Sequence, residues 1–335
     1  MSSFDVVGNA YRKVKSRYAT IEKVHRKIKK RYAVVDGKYK FVWKDGVEAG
    51  EVVFTESTVW TVPEGVSVVD IFCVGGGGGA GGSYDYYTQS SSGYNSFTQR
   101  YGGGGGGGYT TTQKSVAVTP GSELTIAVGA GGASGVSYWY DSTMSPTYAG
   151  STTSVTGGSD GGASSVVDAN GTVLCNADGG KGGAKTPQTT YTVNSASYRR
   201  GGAGGAGGSG GAGGFFLKDT IQSSGSQRKM YSYATSAGID GADGGTAQNV
   251  VDNEGEYSNT GASGGAGQGT TTRAFGESNG TLYSTGGGGD GTGAPLTGAN
   301  TGDGGGVKTE YLYTSPYLPG GDGKSGIVII RWAAQ

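Results

Sequence analysis

The sequence is short of the residues that carry most enzymatic chemistry. It holds one histidine, His25, and two cysteines, Cys73 and Cys175, in 335 residues. That leaves no His/Cys set for a zinc site and no convincing Ser-His-Asp constellation. Acidic residues are present, but nothing marks a pair suited to glycoside hydrolysis. Asp-Gly runs such as GIDGADGG (238–245) invite calcium, yet no full EF-hand or repeat-toxin loop appears. The run GDGKSG (321–326) mimics the end of a phosphate-binding loop, but Leu318 stands where the first glycine is required. A strand-like run follows it, where that loop needs a helix. No catalytic residue, cofactor or metal is therefore expected, and the chain reads as a non-enzyme.

Proline is also scarce, at 7, and glycine, although abundant, follows no strict G-X-Y period. Collagen is thereby excluded. No stretch approaches the ~18 apolar residues of a membrane-spanning helix, so membrane insertion is not expected. The opening MSSFDVVGNAYRK lacks the apolar core of a secretion signal. Each cysteine sits in an apolar run, VVDIFCV and TVLCNA. Buried free thiols are expected, since free Cys behaves as a small hydrophobe; a disulfide between them stays open.

What the chain has in excess is glycine, 73 residues, about one in five against a usual ~7%. It also has 22 tyrosines, against 8 Phe and 4 Trp. So many aromatics fit poorly with a flexible Gly/Ser linker. The glycines gather in tracts at 75–82, 102–108, 157–163, 179–184, 201–214, 261–269 and 286–293. In Gly201–Gly214, GGAGGAGGSGGAGG, the only side chains are Ala203, Ala206, Ser209 and Ala212, at a period of three. Three residues per turn is the period of the polyproline-II helix, whose ~3.1 Å rise would stretch the tract to roughly 43 Å. Such helices have no internal hydrogen bonds, so burying them requires packing side by side, each bonding to its neighbours.

Between the tracts lie strand-like runs. EVVFTESTVWTVPEGVSVVDIFCV (51–74) reads as two or three strands with a turn at Pro63-Glu64-Gly65. KSVAV (114–118) and ELTIAV (123–128) flank TPGS; SSVV (164–167) and TVLC (172–175) flank DANG; SGIVIIRW (325–332) closes the chain. The expected fold class is all-β: a strand scaffold with packed polyglycine-II-type helices over 51–335, preceded by a small basic β-hairpin module at 1–46.

That module carries the charge asymmetry. Residues 1–46 hold 13 Lys/Arg and 4 Asp/Glu, 13 − 4 = +9; the remainder holds 26 − 13 = 13 basic and 26 − 4 = 22 acidic residues, 13 − 22 = −9. A basic module suggests docking on an acidic partner. Its sequence repeats every fourteen residues: RKVKSRYATIEKVH (12–25) aligns with RKIKKRYAVVDGKY (26–39). Tyr11, Val14, Tyr18, Ile21, His25, Ile28, Tyr32 and Val35 would also form a heptad seam. That seam has no Leu, and Asp36-Gly37 is a strong hairpin signal, so paired strands are favoured. His25 occupies the repeat position of Tyr11 and Tyr39 and needs no further role.

The segments joining the tracts (83–101, 136–149, 186–200, 215–237 and 307–319) are rich in Tyr, Ser, Thr, Asn and Gln. Antibody binding loops use a similar mixture. Read as loops on a rigid scaffold, they offer Tyr84, Tyr86, Tyr87, Tyr138, Trp139, Tyr140, Tyr231 and Tyr233 as candidate receptor-binding residues, because aromatic side chains dominate interface hot spots. The alternative is that these rings cover the ends of the glycine bundle.

From residue 51 onward, FTESTVWTVPEGVSVVDIFCVGGGGGAGG, KSVAVTPGSELTIAVGAGGASG and GGDGKSGIVIIRW resemble, in that order, the glycine-rich domain of phage tail fibres and related tail proteins. RKIKKRYAVVDG is similar to short repeats of tail proteins from phages and prophages of Gram-positive bacteria. The glycine tracts are similar in kind to the tip adhesins of T-even-like phages, though the N-terminal module and the loops differ. The resemblance implies a virion tail location and a receptor-binding protein contacting a bacterial surface glycan or protein. Residues 1–46 would hold other tail or baseplate proteins. Nucleic acid is not an expected partner, and a homo-oligomer is allowed. The competing expectation is a tail spacer that touches no receptor.

Overall fold

The structure, a computed structural model, describes residues 46–84, 101–138, 155–186, 202–214, 272–288, 301–307 and 320–334. It also describes strand backbone within 4–44, 85–100, 139–141, 190–199, 216–233 and 250–253. Among the described residues the regular structure is β apart from the 3-10 turn at Ala274–Gly276.

The first strands are β1 (Phe4–Val7), β2 (Ala10–Lys13), β3 (Tyr18–Ile21), β4 (Val24–Lys27), β5 (Lys30–Val35) and β6 (Lys38–Lys44). They pair antiparallel two by two: β1 with β2, β3 with β4, β5 with β6. The residues between partners are Gly8-Asn9, Glu22-Lys23 and Asp36-Gly37, fourteen apart each time. The backbone is thus extended where a heptad seam would demand helix.

The remaining strands are β7 (Gly50–Phe54), β8 (Thr58–Thr61), β9 (Val68–Val74), β10 (Tyr84–Gln89), β11 (Asn95–Arg100), β12 (Thr110–Ala117), β13 (Glu123–Ala127), β14 (Tyr138–Asp141), β15 (Ser164–Asp168), β16 (Val173–Ala177), β17 (Thr190–Val193), β18 (Ala196–Arg199), β19 (Phe216–Ile221), β20 (Arg228–Tyr233), β21 (Val250–Asn253) and β22 (Ile327–Trp332). Two four-stranded sheets, ordered β12-β9-β22-β7 and β16-β15-β13-β8, face each other. Side-chain alternation explains the pairing. Leu124 and Ile126 of β13 point inward and Glu123 and Thr125 outward. Inward residues of both sheets, among them Ile71, Val328, Ile330, Leu124, Ile126 and Val166, form one core. In β9, Phe72 and Val74 are buried on the opposite face, under Phe275 and Tyr283. The Arg331 guanidinium clips that cover in place. It lies 3.8 Å over the Phe275 ring and donates to Glu277 Oε1 at 2.7 Å and to Asp70 Oδ2 at 3.4 Å.

One detail differs from the sequence reading, and one expectation is met. The runs at 114–118 and 123–128 do not pair with each other; β12 pairs with β9, and β13 with β8 and β15. The turn between them is a corner linking the two sheets, because each strand has apolar positions that meet the shared core from its own side. Cys73 and Cys175 are free and buried, one in each sheet, and belong to the same core.

The glycine tracts leave this sandwich as a second buried body. Within 75–82, each backbone N–H donates to another tract at 2.8–3.0 Å, and the acceptor changes with a period of three. Gly75, Gly78 and Gly81 donate to Tyr109, Gly106 and Gly103. Gly76, Gly79 and Gly82 donate to Gly162, Ser159 and Thr156, while Gly77 and Ala80 donate to Lys324 and Gly321. The acceptor numbers descend, so those neighbours run antiparallel. The carbonyls of 75–82 accept from neighbours whose numbers ascend: Gly180 and Gly183, Gly132 and Gly135, and Gly305. Tract 102–109 repeats the arrangement: Gly103 and Gly106 donate to Ala184 and Lys181, Gly104 and Gly107 to Ala212 and Ser209, Gly105 and Gly108 to Gly305 and Gly302. The buried backbone is therefore paired without a sheet.

The glycines are required by closeness rather than by flexibility. A Cβ on Gly79 would overlap the Ala133 carbonyl, and one on Gly105 the Gly78 carbonyl. The fourteen residues from 201 do not run straight. Described from 202, the tract bends at Gly207-Gly208 and doubles back, with Gly211 N–H bonding Gly205 O and Gly214 N–H bonding Gly202 O. Ala203 and Ala206 lie half-buried on one arm; Ser209 and Ala212 are buried on the other. The central tracts are about half as long, so a straight tract would overrun them, and folding it in two keeps all its backbone groups within reach of partners.

Candidate binding surface

The glycine body has two ends of different character. At one end its segments join the sandwich: Gly75 follows β9, Tyr109 precedes β12, Asp178 follows β16 and Gly326 precedes β22. At the other end, Gly82 leads to β10, Tyr101 follows β11, Ser137 precedes β14 and Gly214 leads to β19. Those strands belong to one six-stranded sheet, ordered β14-β10-β11-β19-β20-β21.

All the candidate receptor-binding residues fall in this sheet, in strands rather than loops. Tyr84, Tyr86 and Tyr87 are in β10, Tyr138, Trp139 and Tyr140 in β14, and Tyr231 and Tyr233 in β20. β10 and β14 run parallel, with Tyr84 opposite Tyr138, Asp85 opposite Trp139 and Tyr86 opposite Tyr140. β20 lies elsewhere in the sheet, between β19 and β21. Alternating Tyr/Thr/Ser runs such as YDYYTQ and RKMYSY suit a pleated surface, which explains why polar, aromatic segments taken for loops form strands. Parts of the joining segments, including 142–154, 234–249 and 308–319, lie outside the described residues, as do the tract at 261–269 and the Asp-Gly run at 238–245.

Side-chain geometry is defined where the sheet meets the glycine body. The Tyr84 and Tyr138 rings stack with centroids 5.0 Å apart and planes 20° apart. Tyr138 is 6% exposed, so it is covered rather than presented, while Tyr84 is half-buried. Tyr101 is buried with Ala80 and Val307. That burial of Tyr138 matches the alternative in which rings cover the end of the glycine body. The junction also uses hydroxyls. Ser137 Oγ accepts from Ser83 N–H at 2.9 Å, and Ser83 Oγ accepts from Gly102 N–H at 3.2 Å. Ser83, Tyr101 and Ser137 were not singled out from sequence. Their signal is position: the first side chains with polar reach beyond a bare glycine tract.

Acidic groups trim the sides of the glycine body. Asp160, Asp303 and Asp322 accept backbone N–H groups of Gly182, Thr285 and Ser134. Lys181, 2.8 Å from Asp160, holds that carboxyl below its ordinary value. Among the described residues, no group of three or more His, Cys, Asp or Glu is placed to hold a metal ion. The run at 321–326 spends its N–H groups inside the protein: Gly321 donates to Gly306 O, Lys324 to Asp303 O and Gly326 to Gly129 O. A family model described as a glycine-rich domain matches residues 53–333. No curated protein matches the chain.

Proposed function

The chain belongs to the glycine-rich domain family, and on that premise we propose that it is an adhesin of a phage tail or tail-like particle. In this reading the glycine tracts are packed polyglycine-II-type helices. At ~3.1 Å per residue an eight-residue tract lifts the Tyr-rich sheet about 25 Å from the sandwich. The sheet contacts a bacterial surface glycan or protein, and residues 1–46 attach the chain to other tail or baseplate proteins. The observation that carries the reading is the convergence of all the candidate Tyr and Trp residues on one sheet, at the end of the glycine body away from the sandwich. Tyr side chains supply large, rigid, amphipathic contact area at low entropic cost, and a buried, hydrogen-bonded support keeps such a surface preorganised.

The test is binding of the labelled full chain to a panel of intact bacteria, with Tyr231→Ala/Tyr233→Ala and Tyr84→Ala/Tyr138→Ala compared. Loss of cell binding by the first variant with its melting temperature retained supports the reading. Absence of binding to every strain at micromolar concentration defeats it. A specific observation favours a second reading, a non-adhesive tail spacer: the Tyr84–Tyr138 stack is part of the packing. In that case alanine variants throughout the sheet lose stability and particle incorporation, and no cell binding exists to lose.

A further inference from the structure

The only two thiols of the chain meet in its interior. Cys73 lies in β9 and Cys175 in β16, strands of different sheets, and both belong to the shared core. Facing sheets ordinarily stand about 10 Å apart. That is too far for two cysteines to join, since bridged Cα atoms lie about 4.4–6.8 Å apart. Here the sheets converge as they approach the glycine body. Ser164 Oγ of β15 donates to the Val74 carbonyl of β9 at 2.6 Å. Cys175 Sγ donates to the Thr111 carbonyl of β12 at 3.7 Å, and Thr111 is the residue paired with Cys73. Two short side chains of one sheet thus reach the backbone of the other. The thiols of Cys73 and Cys175 are themselves hydrogen-bonded. Cys73 stands two residues before Gly75 and Cys175 three before Asp178, where two segments leave the sandwich for the glycine body.

We propose that Cys73 and Cys175 are a dithiol modification site, closed to an inter-sheet disulfide by a small-molecule disulfide such as oxidised glutathione. One cysteine thiolate attacks a sulfur of the glutathione disulfide, whose S–S bond breaks. One glutathione leaves and takes up the proton that the cysteine gave up. The second cysteine, deprotonated in turn, attacks the protein sulfur of the mixed disulfide and releases the second glutathione. Two electrons and two protons pass from the cysteine pair to one glutathione disulfide, which becomes two glutathione thiols. Only a thiolate attacks, and burial with the mutual hydrogen bond keeps Cys73 protonated in the closed sandwich. Exchange therefore passes through an opened sandwich, and reclosure brings the two sulfurs back together with the bond in place. The crosslink would tie the two sheets together at the root of the glycine body and close a loop of about 100 residues, which restricts the unfolded chain. It rests on the sandwich core alone and is independent of any receptor contact.

The test is a thermodynamic cycle on the full chain. The protein is equilibrated with a series of reduced and oxidised glutathione ratios, in native buffer and in concentrated urea, then acid-quenched and mapped by mass spectrometry without reduction. The expected product is an intramolecular Cys73–Cys175 peptide pair, lighter than the dithiol by two hydrogens. Its formation constant should be at least about a hundredfold larger in the folded chain than in the unfolded one, the same factor by which the crosslink stabilises the fold. Oxidation in native buffer should be slow and should speed up in urea too dilute to unfold the chain. The oxidised protein should keep the parent's circular dichroism and melt at a higher temperature. A ratio of one or less, glutathione adducts or interchain dimers in place of the pair, or a lowered melting temperature overturns the proposal. So does a higher melting temperature after the same oxidation of Cys175→Ala, which has no pair to close. If that variant fails to fold, the folded-to-unfolded ratio of the parent decides alone.

Discussion

The sandwich and the glycine body are both buried, and they reach that state by opposite means. In the sandwich, side chains alternate with a period of two and the interior is Ile, Val, Leu and Phe; burial is driven by apolar area leaving water. In the glycine body the interior is backbone, the hydrogen-bond direction rotates with a period of three, and there is almost no apolar side chain to bury. Its stability rests on paired peptide groups and close van der Waals approach. The sandwich should therefore forgive changes of shape that keep volume. At tract positions such as Gly79 and Gly105 the glycine body has no spare volume, since even one methyl group there meets a carbonyl oxygen.

The sharpest way to break that comparison is to add side chains to the tracts. Gly79→Val or Gly105→Val should cost more than the ~1–3 kcal/mol of ordinary overpacking, because the atoms in the way are rigid backbone, and the folded state should be lost. A denaturation midpoint close to the parent's for either variant would mean the tracts are loosely packed. Next in size, Leu124→Ala in the sandwich should cost about 2–5 kcal/mol, whereas Ile126→Val should cost about 0.5–1.5; denaturant titration reads both. Within the doubled-back tract, Ala212→Val should cost about 1–3 kcal/mol and Ala203→Val clearly less, since Ala212 is buried and Ala203 only partly. Equal losses would argue for a straight tract.

Two smaller effects are chemical. Cys73 is hydrogen-bonded to Cys175 and buried, and both push its thiol far above the usual range. Cys175 in turn donates to the Thr111 carbonyl at 3.7 Å. Neither thiol should react with iodoacetamide at neutral pH until the sandwich unfolds; mass spectrometry showing labelling of the native protein would contradict the placement. The last effect is acidic. Glu277 is held below its ordinary value of 4.5, first by its hydrogen bond from Arg331 and then by that residue's charge. Its contribution is fully present above the ordinary value and is lost as pH falls through the lowered one. Below that range the Phe275 cover should open more readily. Glu277→Gln should remove this pH dependence, measured as hydrogen exchange in 272–283, and leave the core strands protected. The effect is small because the pair is partly exposed to solvent.

Much of the chain could be read directly from local pattern. Leu124 and Ile126 between Glu123 and Thr125 announce a half-buried strand, Pro63-Glu64-Gly65 a turn, and Asp36-Gly37 within the fourteen-residue repeat a set of paired strands. The apolar runs around Cys73 and Cys175 announced buried thiols. The Tyr-rich segments were legible as a candidate surface but not as strands, since alternating Tyr, Thr and Ser look alike in a loop and on a pleated sheet.

The sequence by itself determined the all-β class, the glycine tracts and the period of three in the one from 201, the basic repeat and the poverty of catalytic side chains, because each is a property of residues close together in the chain. Only the tertiary structure decided that β12 and β13 part into different sheets, that the tract from 202 folds back on itself, that Cys73 meets Cys175, and that Tyr138 is covered by Tyr84 while its neighbours share one sheet. These are choices of partner across long stretches of chain. Glycine tracts of near-identical sequence carry no side-chain code to say which will bond to which. That choice is made by the length of each tract and by the strands in which it begins and ends.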